Sequence, residues 1–186
     1  EQEVKKLTEY YSGHTFMEVR NRLMLMTFFD TGIRVSELID LKLSQVKDEY
    51  ILIHGKGDKE RVVPKSPLLN KWMFKYLNTR ENFFAYRRVP ENVFLSRNGR
   101  PMTTEAIHRV IKIAGKAVGV SRDIRVSPHT CRHPFAQMQL KNGLDLYSLS
   151  RLMGHSNISI TQRYLEGLRD FEVLNACKAT GILMNL

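Results

Sequence analysis

A mainly helical α+β fold with one small antiparallel hairpin is what this sequence predicts. Three observations point there. Apolar residues recur at helical spacing in several segments with clear caps. Two short β-rich runs flank a glycine-containing turn. Apolar residues make up 42% of 186 positions, enough for one globular core.

The elements follow in chain order. Residues 17–29 read as a buried helix, with Val19, Leu23 and Met26 on helical spacing, and Asp30-Thr31-Gly32 breaks it. A second helix is predicted from Val35 to Leu43. Tyr50–His54 and Arg61–Pro64 read as strands around Gly55-Lys56-Gly57-Asp58-Lys59. A helix should run from Pro67 to Asn78, followed by a polar, aromatic and basic loop over 80–91 and a short strand at Val93–Leu95. Thr103 or Thr104 caps a helix that reaches Val118 and stops near Gly119. Ser127 caps another, with Pro128 at its first position. Asp145 caps the next and Gly154 ends it. A helix over Ser159–Leu165 and a terminal one over 170–180 complete the reading. No internal linker or repeat is visible, so residues 1–186 are read as a single domain.

Charge narrows the function. The formal net charge is +10, and residues 51–132 carry 17 basic against 6 acidic side chains. Residues 1–50 carry 7 against 9. Such concentration predicts a polyanion-binding face, because neutralised phosphates release counterions. Cys131 and Cys177 have no CxxC spacing, which fits a reducing compartment and a cytoplasmic location. The apolar stretch Leu23–Phe29 is too short for a bilayer, so no membrane partner is expected.

Four segments in order carry the chemistry. They are Thr31-Gly32-Ile33-Arg34-Val35-Ser36-Glu37-Leu38; Gly55-Lys56-Gly57-Asp58-Lys59-Glu60-Arg61; His129-Thr130-Cys131-Arg132-His133; and Leu152-Met153-Gly154-His155, with Tyr164 nine residues later. Their content, order and spacing resemble the tyrosine recombinase (phage integrase) family over about residues 16–166. The resemblance implies the catalytic domain of an integrase or Xer-type resolvase. It implies Arg34 and Arg132 as the two arginines, Lys56 as the hairpin lysine, His129 and His155 as the histidines and Tyr164 as the nucleophile.

The residue types suit those roles. Attack on a phosphodiester builds negative charge on its non-bridging oxygens, and two guanidiniums can clamp them while staying charged. His155 adds a donor. A phenol of ordinary pKa about 10 needs that positive surround and a proton acceptor. His129 lies one helical turn from Arg132, on the same face, and is a candidate base or proton-positioner. Lys56 can protonate the leaving 5′ oxygen, with Lys59 as its rival; Tyr147 rivals Tyr164 but lies off the motif. The expected product is a 3′-phosphotyrosyl link and a free 5′ hydroxyl, which keeps the bond energy, so no cofactor, metal or ATP is expected. His129, Cys131, His133 and His155 invite a zinc reading, but on a helix Cys131 points about 200° away from His129. His133 reads as a structural support.

Two residues depart from the family pattern. Cys131 stands where leucine is usual and should pack in the core. Pro134 stands where threonine or serine is usual and is expected to delete a hydrogen bond and bend the helix that presents Arg132.

The resemblance further implies double-stranded DNA as partner, a homotetramer on DNA and a monomer when free. The first motif arrives by residue 31, so the family's N-terminal core-binding domain is expected to be absent. Residues 168–186 hold Phe171, Val173, Leu174, Ile182, Leu183, Met184 and Leu186, a surface expected to be exchanged between subunits. Two other readings stand beside a recombinase of phage, transposon or chromosome: a strand relaxer like type IB topoisomerases, and a non-cleaving DNA-binding accessory protein.

Overall fold

The computed structural model describes residues 2–55, 60–119 and 127–165, with the backbone alone of His129 and Thr130. Contacts divide the chain into two compact units, Glu1–Arg132 and His133–Leu186.

The first unit opens with a helix that the sequence reading lacks: α1, Gln2–Glu9, which buries Leu7. Two apolar residues, Val4 and Leu7, are too few to set a visible period. The next helix, α2, spans Phe16–Thr31. Thr15 starts it with a reciprocal cap: its hydroxyl accepts from the Glu18 amide, and the Glu18 carboxylate accepts from the Thr15 amide at 3.1 Å. Leu23, Met24, Leu25 and Phe28 are buried, so α2 hides nearly its whole circumference. Gly32 closes it in the left-handed region, at φ 60° and ψ 22°, and donates to the Phe28 carbonyl.

Helix α3, Val35–Asp40, is shorter than the reading to Leu43. The chain turns extended at Leu41, whose carbonyl accepts from the Val93 amide at 2.7 Å, and Lys42 bridges Asn92. Pairing with that distant segment outcompetes another helical turn, and Leu43–Gln45 forms only a 3₁₀ turn. Strands β1, Tyr50–His54, and β2, Glu60–Pro64, pair antiparallel with Ile53 opposite Arg61 and Ile51 opposite Val63. Ile51, Ile53 and Val63 are buried, giving the sheet one core face.

Helix α4, Pro67–Phe83, starts at the Ser66 cap and runs five residues beyond the expected end. The polar stretch 79–83 is helical because tertiary contacts hold it. Arg80 is buried and donates to the Pro90 and Asn92 carbonyls, while Phe83 stacks on Phe16 with ring centres 4.3 Å apart. Residues 93–95 are not a strand, contrary to the reading; they are buried irregular backbone flanked by single bridges. Side chains take the carbonyls a strand partner would use: the Tyr76 hydroxyl donates to Val93 and Arg20 donates to Leu95, each at 2.9 Å. Helix α5, Thr104–Ala117, is capped by the Thr103 hydroxyl. It buries Ile107, Val110, Ile111 and Ala114 and leaves His108, Arg109, Lys112 and Lys116 exposed.

Helix α6, Pro128–Lys141, begins where Ser127 and Pro128 predict and runs through Pro134. Cys131 is buried, as expected, and burial pushes its thiol up to about 12. In the second unit, α7 spans Leu146–Met153, started by Asp145 accepting from the Ser148 amide at 2.9 Å and ended by left-handed Gly154. Helix α8, Ser159–Gln162, stops short of the expected Leu165, because the Tyr164 amide tightens onto the Thr161 carbonyl. Phe135, Ala136, Leu149, Met153 and Tyr164 form this unit's core. The predicted helix over 170–180 lies outside the described residues, as do Lys56 and Lys59. Among the described residues, no helix is long and apolar enough to cross a membrane.

Candidate active site

The first unit assembles its chemistry at one backbone turn. Gly32 takes positive φ, which lets the chain leave α2 sharply and start α3 three residues later. Arg34 sits at the N-cap of α3 with extended backbone, φ −77° and ψ 157°, and its side chain is 40% exposed. Arg132, from α6, is buried and donates through Nη1 to the Gly32 carbonyl. Two arginines 98 positions apart in the sequence thus reach the same turn.

Glu37, one turn into α3, ties this place together. Its Oε2 accepts from the Arg34 amide at 2.6 Å, and its Oε1 from Arg34 Nη1 at 2.9 Å. Arg61 of β2 adds a bidentate pair, Nη1 to Oε1 at 2.8 Å and Nη2 to Oε2 at 2.7 Å. Burial alone would raise the Glu37 carboxyl. The Arg61 hydrogen bonds, the Arg34 amide and the two guanidinium charges outweigh it and hold the group at about 2. Glu37, Arg34 and Arg61 together therefore carry one net positive charge. The sequence reading gave no role to Glu37 or Arg61, although both stand inside quoted motifs. The legible signal was a glutamate three residues after a helix-start residue. The approach of Arg61 is tertiary.

His129 lies in α6, three residues before Arg132; its side chain is outside the described atoms.

In the second unit, Gly154 releases the chain in the left-handed region and His155 follows at once, its amide donating to the Ser150 carbonyl. His155 Nδ1 lies 2.7 Å from the Thr161 hydroxyl, which fixes the ring from behind. The His155 and Tyr164 rings are nearly parallel, at 7°, with centres 6.4 Å apart. His133 lies closer, its ring centre 5.1 Å from that of Tyr164. Tyr164 is only 7% exposed. Tyr147, by contrast, is 62% exposed on α7, where Arg151 covers its ring and reaches its hydroxyl at 3.3 Å. Thr161 also escaped the sequence reading, because only the fold brings it under His155.

The sequence profile of the phage integrase family matches residues 1–169. The chain belongs to the phage integrase family. Tyrosine recombinase XerD of Staphylococcus aureus (strain N315) is 39% identical over 147 residues, 78% of this chain and 49% of that protein. The chain thus spans about half the length of the curated relatives it matches. The crystal structure of XerA recombinase superposes with a TM-score of 0.82 at 30% identity, covering 97% of this chain and 64% of that one. XerH site-specific recombinase bound to palindromic difH substrate gives 0.78 at 24% identity, covering 98% and 52%; that likeness concerns the fold alone. This member of the phage integrase family has the mainly helical fold, with a small antiparallel sheet, of tyrosine recombinase catalytic domains.

Proposed function

We propose that this chain is a site-specific recombinase that cleaves and rejoins double-stranded DNA through a 3′-phosphotyrosyl intermediate on Tyr164. The carrying observation is the turn before α3, where Arg132 bonds the Gly32 carbonyl two residues from Arg34. Two permanent cations brought to one rigid turn suit the non-bridging oxygens of a phosphodiester. The likeness to XerD relatives supports the same reading.

The roles follow. Arg34 and Arg132 hold the scissile phosphate and stabilise its developing charge. The Tyr164 oxygen attacks phosphorus, and its proton passes to His129. The bond to the 5′ oxygen breaks as Lys56 gives that oxygen a proton. His155, held by Thr161, donates to a phosphate oxygen. Rejoining runs the steps in reverse with another 5′ hydroxyl. The exposed cations of α5 add phosphate contacts that position the duplex. On this reading the free chain is a monomer and four copies assemble on two duplexes in the cytoplasm, with residues 168–186 of each docking on a neighbour.

The test uses a duplex selected for binding to this chain from a random-sequence pool, then nicked to trap the intermediate. Wild type should yield an SDS-stable DNA adduct, and so should Tyr147→Phe. Tyr164→Phe should bind DNA equally and yield none. An adduct in Tyr164→Phe would falsify the assignment of the nucleophile.

A further inference from the structure

Arg61 has no part in the steps proposed above, yet it forms a two-point ion pair with a buried carboxylate. Its side chain is 12% exposed, that of Glu37 is 6% exposed, and the two meet as a planar fork on a carboxylate. The same carboxylate touches Arg34, which is far more exposed and meets it through Nη1 at one oxygen.

Two cations on one buried anion are not redundant. A buried carboxylate with one cationic partner pulls that partner into the geometry that best compensates its charge, the bidentate fork. Were Arg34 that partner, its guanidinium would close onto Glu37 and lie neutralised there. Arg61 already spans both oxygens, so Glu37 holds Arg34 in place while the cluster keeps a net positive charge.

We infer that Arg61 is a positioning residue for Arg34: its fork occupies both oxygens of Glu37 and keeps Arg34 from closing onto that carboxylate. The inference rests on the recombinase reading for the use made of Arg34. It also gives β2 a task, because the strand that follows Lys56 in the sequence is the one that sets the arginine.

The test measures the rate of adduct formation at saturating selected DNA, with a melting curve for every variant. Arg61→Gln should lose about tenfold or more in rate while its DNA affinity stays within about threefold of wild type. Arg61→Gln/Glu37→Gln should then recover about threefold or more over the single variant, because no charged carboxylate remains to capture Arg34. A pair that merely staples the hairpin predicts the reverse, with the double variant no faster than the single. That order, or a single variant within about threefold of wild type, overturns the inference. If Arg61→Gln melts below the assay temperature, Arg61→Lys takes its place; the ammonium balances the buried charge but cannot span both oxygens. The same recovery is then required of Arg61→Lys/Glu37→Gln, and its absence overturns the inference. A wild-type chain that forms no adduct overturns the recombinase reading instead, whatever the Arg61 variants do.

Discussion

Glu37 stays anionic in a place where burial opposes its charge, and acid should expose what that is worth. Its folded carboxyl titrates at about 2, against an ordinary value of 4.5. A depressed folded value contributes stability above the ordinary value and loses it as pH falls toward the folded one, so the window runs from 4.5 down to about 2. The full contribution is about 3 kcal/mol. Urea unfolding at pH 6 and pH 3 should show wild type losing stability over this window, with a shallower loss in Glu37→Gln. Parallel losses in both proteins would mean other carboxylates carry the acid sensitivity. At this scale Arg34, Arg132, His155 and Tyr164 were named from local patterns in the sequence, and their roles rest on the proposal above. Glu37, Arg61 and Thr161 could not be given roles, because each acts through a side chain that only the folded chain brings near. Hydrogen-bond partners 24 residues apart, such as Glu37 and Arg61, leave no periodic trace.

At the scale of the element, starts were more legible than ends. Thr103 and Asp145, read as caps from the sequence, each accept a backbone amide at a helix start, as do Thr15 and Ser66, which the reading did not name. The ends of α3 and α4 were decided by remote groups: the Val93 amide drew Leu41 away from a helix, and Arg80 kept the following turn in one. Residues 93–95 have the apolar content of a strand, but side chains take their carbonyls. Helix α6 poses the opposite case, a helix that persists through Pro134. Proline brings no N–H for the Thr130 carbonyl, and its ring crowds that oxygen. Pro134→Thr should restore the bond and raise stability by about 1–3 kcal/mol. Calorimetry would show this as a higher melting temperature. An unchanged or lower one would mean the neighbours of Pro134 are fitted to its ring.

For the whole molecule, the uneven charge was readable at once: 17 basic against 6 acidic side chains in residues 51–132, the stretch that contains α4 and α5. How copies assemble was not readable, since that depends on surfaces meeting other surfaces. The proposed docking of residues 168–186 on a neighbour nonetheless makes a definite expectation. Truncation after Gly167 should leave binding to one site nearly intact and abolish multi-subunit assembly, both visible as discrete bands in a gel-shift titration. Loss of cooperative melting in the truncated chain would instead make the segment part of its own domain's structure.

The bond from Arg132 to the Gly32 carbonyl joins residues 100 apart in the chain, and this has a consequence for how the protein is born. A ribosome adds roughly 5–20 residues per second, so roughly 5–20 s separate the synthesis of these two residues. Throughout that interval the emerging chain has Arg34 and a growing cationic surface. It lacks the second arginine, and the tyrosine is later still. On the recombinase reading, an unfinished chain can therefore hold DNA but has no means of breaking it. On that reading, cutting power arrives only with Tyr164, after both arginines are present to reseal what it opens.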